Sequence, residues 1–301
     1  MQTLRQPPSP SAGASTSPPG VLFFINDLAM GGAERALVSL VNNARLFRPV
    51  IALLRPVMDL ADELDPNIEV VCVGPEATEK ANRMPAVSSA IPTLAGPRGQ
   101  PRGRMLLEVP GLLRTAADLA RAARQTRCTV VSTFLNRAHT VALTARLLLA
   151  PDLRVVVNVH ELLTDHLDLH FAPSERRLMQ KFITLAFPRA NRIVTVAEAV
   201  SRDLVDNFAI PAGRITVVHN PVDRVRIGRA GKATVDQSLF EGNTIVAVGR
   251  LVRLKGFDIL IRALDRLPAK LDARLVIVGD GVERPELERL IAELGLGHRV
   301  K

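Results

Sequence analysis

From Val21 to Val196 the sequence keeps returning to one arrangement, a short apolar run followed by a helical pattern. Val21-Leu22-Phe23-Phe24-Ile25 is the first run; Val50–Leu54, Ile68–Val73, Cys128–Thr133, Arg154–Val159 and Arg192–Val196 repeat it. Apolar runs of this kind, with little polar alternation, suit strands buried on both faces, as in parallel sheets. Between them apolar residues recur at three and four positions: Leu37, Leu40, Val41 and Ala44 share one helical face. Further helices are predicted over Leu112–Gln125, Ala138–Leu149, Pro173–Phe187 and Glu198–Phe208. Strand alternating with helix dictates an α/β, doubly wound parallel sheet. Such sheets bind ligands at the carboxyl ends of their strands. The loops that follow strands are therefore where function is to be sought.

Three of those loops stand out. After the first strand comes Asn26-Asp27-Leu28-Ala29-Met30-Gly31-Gly32. Glycines at a strand-to-helix turn let the backbone approach a ligand and aim N–H groups at it, although a plain tight turn also uses them. A G-x-G-x-x-G fingerprint is absent, which argues against a dinucleotide enzyme. After a later strand comes Asn158-Val159-His160-Glu161. His160 at that position either faces a ligand cleft or is satisfied locally by Glu161 or Asp165, and both readings stand. His166 and His170 follow, spaced like residues on one helix face, which raises a metal cluster. The polar–apolar alternation around them reads instead as a surface segment, and no metal site is expected.

The third loop is Val248-Gly249-Arg250-Leu251-Val252-Arg253-Leu254-Lys255-Gly256-Phe257-Asp258. It joins an apolar run, Thr244–Val248, to a helix carrying Ile259, Leu260, Ala263, Leu264 and Leu267. Free N–H groups at a helix N-terminus favour an anion. Arg250 and Lys255 add cations, so a ligand with more than one negative charge, such as a pyrophosphate, suits this loop.

Composition narrows the partners. Lys and Arg exceed Asp and Glu to give a net charge of +9, which favours acidic partners. Trp and Tyr are both absent, so the stacking platforms of single-strand nucleic-acid binders are missing and nucleic acid is not expected. Cys72 and Cys128 sit in strand-like runs as small core residues of a reducing compartment. No apolar run approaches the roughly 18 residues of a membrane span. A cytoplasmic protein is expected, with peripheral contact at the inner face of the membrane as an option. The Pro- and Ser-rich residues 1–20 predict a disordered tail. Residues 74–110, broken by prolines and carrying Arg98, Arg102 and Arg104, predict an irregular insertion. Residues 21–222 then form a first domain, 223–242 a polar linker and 243–301 the start of a second domain.

The motifs resemble those of the GT4-type (glycosyl transferases group 1) family of GT-B glycosyltransferases. Met30-Gly31-Gly32-Ala33-Glu34-Arg35 is similar to that family's G-G-A-E-R segment, and Val248 to Gly256 is similar to its V-G-R-L-x-x-x-K-G pattern. Ile215 to Asp223 resembles the entry to the family's second domain, with Ala197 where the family usually has Ser after the preceding strand. Val278-Gly279-Asp280-Gly281 resembles its V-G-D-G loop. The resemblance implies a GT-B fold of two Rossmann-like domains and a retaining hexosyltransferase. It implies a UDP- or GDP-activated sugar donor, no cofactor, and a glycan or lipid-linked acceptor. It assigns the donor diphosphate to Arg250, Lys255, Gly31 and Gly32, and gives His160 a catalytic place in the cleft against the sugar.

Members of that family continue past the V-G-D-G loop with further strands and a Glu-x7-Glu motif that contacts the donor. Glu286 and Glu293 here are one residue short of that spacing and belong to the preceding helix. The expectation is a second domain truncated partway, in a fragment or one piece of a split enzyme. A nucleotide-sugar 2-epimerase of the same fold, or an inactive acceptor-domain remnant, are the alternatives.

Overall fold

The computed structural model describes residues 18–74, 109–240 and 242–301. Most of the expected tail and of the 74–110 insertion, including its arginines, lies outside the described residues. The chain divides into two compact units, Met1–Asp223 and Arg224–Lys301.

The first unit is a seven-stranded parallel sheet in the order β3-β2-β1-β4-β5-β6-β7. The strands are β1 (Gly20–Ile25), β2 (Arg48–Leu53), β3 (Glu69–Cys72), β4 (Cys128–Phe134), β5 (Arg154–Val159), β6 (Arg192–Thr195) and β7 (Ile215–Val217). The helices are α1 (Gly32–Asn42), α2 (Val109–Gln125), α3 (Asn136–Leu148), α4 (Leu163–His170), α5 (Pro173–Ala186) and α6 (Glu198–Phe208). Order reverses between β1 and β4, so the topological switch point lies where those two strands end.

Pleating explains the apolar runs. Leu22 and Phe24 of β1, with Val50 and Ala52 of β2, join the core under α2 and α3. Phe23 and Ile25, with Ile51 and Leu53, join a second core under α1 on the opposite face. Both faces of β1 are dry, and each fully buried side chain such as Phe24 contributes roughly 1.5–3 kcal/mol. β5 differs. Val155, Val157 and Val159 are buried on one face, whereas Val156, Asn158 and then His160 are only partly covered on the other. One patch near the carboxyl edge of the sheet is therefore polar and half open.

The second unit pairs β8 (Asn243–Val248) with β9 (Ala273–Val278) in parallel, with α8 (Phe257–Asp265) and α9 (Arg284–Glu293) packed on them and α7 (Arg224–Ala230) preceding them in the chain. Val300 makes an isolated parallel bridge with Leu275 of β9: Leu275 N–H donates to Arg299 O at 2.7 Å and Lys301 N–H to Leu275 O at 2.9 Å. Its core gathers Leu251, Phe257, Ile261, Leu264, Leu275, Leu287 and Leu290. β8 has no neighbour on its other side among the described residues, and Ile245, Val246 and Val248 are exposed.

Several local expectations shift. β1 begins at Gly20 and α2 at Val109, each slightly earlier than read from the sequence. Residues 224–230, expected as linker, form a helix with no buried residue. The supposed surface segment around His166 is a helix that buries Leu163 and Leu167. The alternation misled because two leucines four apart also fit a helical face.

Candidate functional site

At the switch point, β1 gives way to the loop at Asn26. Leu28 anchors it, donating its N–H to Val57 O at 2.9 Å and accepting from Leu60 N–H at 3.1 Å. Asp27, only 4% exposed, is ion-paired with Arg55 and accepts from Ala29 N–H at 3.1 Å. The loop is thus set from inside, and the two glycines that follow are not equivalent. A Cβ on Gly31 would meet the Glu34 carboxylate, which folds back over the first turn of α1. A Cβ on Gly32 would meet nothing within 4 Å. The space at the N-terminus of α1 therefore opens over Gly32.

β4 ends at Phe134, and Leu135 takes φ +71°, a left-handed conformation that costs a residue with a Cβ about 1–3 kcal/mol. The turn delivers Asn136 to the first position of α3. Asn136 donates from Nδ2 to Glu161 Oε1 at 3.3 Å, joining the ends of β4 and β5. Beneath them Asn158 Nδ2 ties the same strands together, donating to Ser132 Oγ and to Thr133 O, each at 2.9 Å.

His160 rests against the Phe134 ring, centroids 5.1 Å apart. Its Nδ1 is buried without a hydrogen-bond partner, so neither Glu161 nor Asp165 satisfies it there. Burial lowers its pKa below 6.5, with the Glu161 carboxylate acting in the opposite sense. The imidazole is consequently neutral near neutral pH. Asn26 Oδ1 and Thr195 Oγ1, at the ends of β1 and β6, are likewise buried without partners. Unpaired buried polar atoms are uncommon and costly, and they mark places where a ligand or water completes the bonding. Three of them lie at the carboxyl edge of one sheet.

α4 carries His166 and His170, rings 4.7 Å apart. His166 Nδ1 lies 3.0 Å from Glu161 Oε1, but out of line for a hydrogen bond. Among the described residues no group of three or more His, Cys, Asp or Glu side chains is arranged to hold a metal. What positions α4 is Asp203 of α6, which accepts from Leu163 N–H at 2.7 Å, Thr164 N–H at 3.3 Å and the Thr164 hydroxyl at 2.5 Å. A carboxylate from another helix thus caps the α4 N-terminus.

In the second unit, the loop after β8 is held almost wholly by main chain. Gly249 N–H donates to Val278 O at 3.0 Å, Leu251 N–H to Asp280 O at 2.9 Å, and Glu283 N–H to Leu251 O at 3.0 Å. Two loops therefore lie backbone to backbone. A Cβ on Gly279 would collide with the Gly249 carbonyl, and one on Gly281 with the Leu251 carbonyl. Gly256, at φ +64°, turns the chain into α8. Arg250 and Lys255 project from this clamped loop, exposed and with no ion-pair partner among the described residues. They are the two cations expected to meet an anion, placed just before a helix N-terminus.

The sequence singled out Gly31, Gly32, His160, Arg250 and Lys255. The first three lie at the carboxyl edge of the seven-stranded sheet, and the last two on the loop after β8. Asn26, Asn136 (at a strand end) and Asp203 were given no role, and Glu161 was considered only as a neighbour of His160. Their partners are mostly distant in sequence, so no local pattern announces them. The turn into a helix at Leu135-Asn136 was the one available signal, since Asn favours helix starts.

Comparison with known proteins agrees with this geometry. Residues 55–226 match the model of Glycosyltransferase Family 4, more than half of the chain, and residues 235–301 match Glycosyl transferases group 1. A Campylobacter jejuni protein named N-acetylgalactosamine-N,N'-diacetylbacillosaminyl-diphospho-undecaprenol 4-alpha-N-acetylgalactosaminyltransferase is 38% identical over 168 residues, covering 56% of this chain and 44% of that protein. A Rhizobium meliloti lipopolysaccharide core biosynthesis glycosyltransferase, LpsE, is 34% identical over 87 residues, covering 29% of this chain and 24% of that protein. The chain thus spans less than half the length of these curated relatives. Among solved structures, Anabaena HepE in complex with UDP superposes with a TM-score of 0.62 at 19% identity, over 93% of this chain and 68% of that one. Sucrose-phosphate synthase from Thermosynechococcus elongatus gives 0.61 at 14% identity, over 94% and 69%. These likenesses show the fold, the α/β architecture of GT-B proteins.

Proposed function

The chain belongs to Glycosyltransferase Family 4, and from that premise we propose that it serves transfer of a sugar from a nucleotide-diphosphate donor to an acceptor hydroxyl. The carrying observation is the pair of unpartnered cations, Arg250 and Lys255, on a glycine-clamped loop at the start of α8. In the transfer the bond between the anomeric carbon and the diphosphate oxygen breaks, the acceptor oxygen takes its place, and the acceptor hydroxyl's proton leaves with the diphosphate. Charge develops on the leaving diphosphate, and fixed cations with helix N–H groups stabilise it without a metal. Retention at the anomeric carbon is the family-level reading. Gly31 and Gly32 keep an assignment to the donor diphosphate, and His160, neutral and with an unpaired Nδ1, contacts the sugar as the catalytic histidine.

A lipid-linked or surface glycan is the acceptor class this reading favours, supported by the names of the two curated relatives. No helix among the described residues is long and apolar enough to cross a membrane. Peripheral contact at the inner membrane face is supported by α5, where exposed Leu178 and Leu185 stand with exposed Arg177 and Lys181.

The test is donor binding and turnover in Arg250→Ala and Lys255→Ala, with a panel of UDP- and GDP-sugars. Each substitution is expected to lower transfer about 10²–10³-fold with no change in melting temperature. Transfer that survives both changes rejects the assignment. Epimerised donor without transfer in the unaltered protein would identify the epimerase instead.

A further inference from the structure

Glu161 stands at the carboxyl edge of the first sheet, just after β5. Its Oε1 accepts from Asn136 Nδ2 and lies 3.0 Å from His166 Nδ1. Three separate elements, the start of α3, the end of β5 and α4, thereby converge on one carboxylate. Its side chain is 43% exposed, and Oε2 has no partner among the described residues. In a protein of net charge +9, this carboxylate forms no ion pair with any described Arg or Lys.

We propose that Glu161 is an acceptor-binding residue that reads the hydroxyl groups of a neutral sugar ring. The inference rests on the transferase reading above and assigns part of the acceptor side. An ionised carboxylate only accepts hydrogen bonds, so its free oxygen selects groups that donate. Sugar hydroxyls and the N–H of an N-acetyl group do; phosphate oxygens are repelled. The acceptor's diphosphate, if it has one, therefore lies away from this loop, and its neutral glycan lies against it. Asn136, itself fixed by the strained turn at Leu135, holds the carboxylate in place before the sugar arrives.

Two titrations of the full chain, run in parallel, test this. One uses UDP; the other uses a soluble neutral disaccharide of N-acetylhexosamine, followed by saturation-transfer NMR. Glu161→Gln keeps the size of the side chain and its acceptor for Asn136 but removes the charge. It is expected to weaken the disaccharide about 10–100-fold, as loss of a charged hydrogen bond does, with UDP affinity unchanged. Glu161→Asp is expected to recover part of the loss. Removing sugar hydroxyls one at a time should reveal one deoxy-disaccharide that binds the unaltered protein weakly and is no weaker in Glu161→Gln. Disaccharide affinity unchanged by Glu161→Gln, no disaccharide binding by the unaltered protein, or equal loss of UDP and disaccharide would each overturn the proposal. Failure to bind UDP, with disaccharide binding still dependent on Glu161, would instead count against the donor assignment and leave this one standing.

Discussion

In the first unit, the loops after β4 and β5 are fixed by side chains reaching across the sequence. Asn136 meets Glu161 25 residues away, and Asp203 caps α4 from 40 residues away. In the second unit, the loop after β8 is fixed by main chain pressed against main chain, with Gly249 and Leu251 facing Gly279 and Gly281. The two solutions suit different ligand chemistries. A multiply charged group needs cations in a fixed place and little else, so a rigid backbone carrying two exposed basic side chains suits it. A neutral sugar offers many weak, directional hydroxyls, so its site needs several polar side chains, each held by another. The first solution tolerates side-chain changes and is intolerant of any added Cβ at the contact; the second behaves the opposite way.

The sharpest way to break this contrast is Gly279→Ala. Its Cβ would enter the Gly249 carbonyl, and neither partner is a flexible side-chain tip that can swing aside. Overpacking of this kind costs about 3 kcal/mol, and here it also displaces the strand end that bears Arg250. UDP binding measured by calorimetry should vanish, while disaccharide binding at the first unit persists. Next in size is Asp203→Ala. It removes one acceptor from two N–H groups and a hydroxyl at the start of α4, and leaves Asn207 Nδ2 without that partner as well. Chemical denaturation should show a loss of about 2–4 kcal/mol, with UDP affinity intact. A loss under about 0.5 kcal/mol would mean that the cap is decorative.

The contrast also explains what could be read from the sequence. The seven-stranded sheet was legible because β1 and β2 are largely continuous apolar runs, as burial on both faces demands, and because similar runs alternate with helices along the chain. Arg250 and Lys255 were legible because a main-chain-built site leaves its mark in one stretch: strand, glycine, cations, glycine, helix. Gly279 and Gly281 were visible as a motif, although the reason for them, two backbones in contact, is purely three-dimensional. Glu161 and Asp203 carried no local signature, and Asn136 only its place at a helix start, because each is defined by a partner brought in by the fold. The helix at Arg224–Ala230 was missed for a related reason: its basic residues show no apolar stripe, and it buries none of them.

A smaller effect follows from buried histidine. His139, 1% exposed and bonded through Nδ1 to the Thr133 hydroxyl at 2.8 Å, has its pKa lowered from 6.5 to about 3, burial being the main cause. The unfolded chain takes up a proton below 6.5 and the folded one does not, so stability is greatest above 6.5 and falls as pH drops toward 3. Burial lowers the His160 pKa too, and it acts in the same direction. His139→Gln should flatten the decline of denaturation midpoint between pH 7 and 4, in a protein with unchanged UDP binding. An equally steep decline in the variant would assign the pH sensitivity elsewhere.

The finest discrimination concerns the two glycines before α1. If space over Gly32 is where a ligand group lies, Gly32→Ala should leave stability within about 0.5 kcal/mol, because its Cβ meets no protein atom. Donor KM should nevertheless rise several-fold, since the methyl occupies ligand volume. Gly31→Ala reverses the cause: its methyl meets the Glu34 carboxylate, a flexible tip that can rotate away, and φ −150° suits alanine. Its effect should come through the displaced carboxylate. Gly31→Ala combined with Glu34→Ala should then bind donor as the Glu34→Ala variant alone does. A Gly32→Ala variant with unaltered donor KM would make both glycines parts of an ordinary tight turn, and the donor contacts would then rest on Arg250 and Lys255 alone.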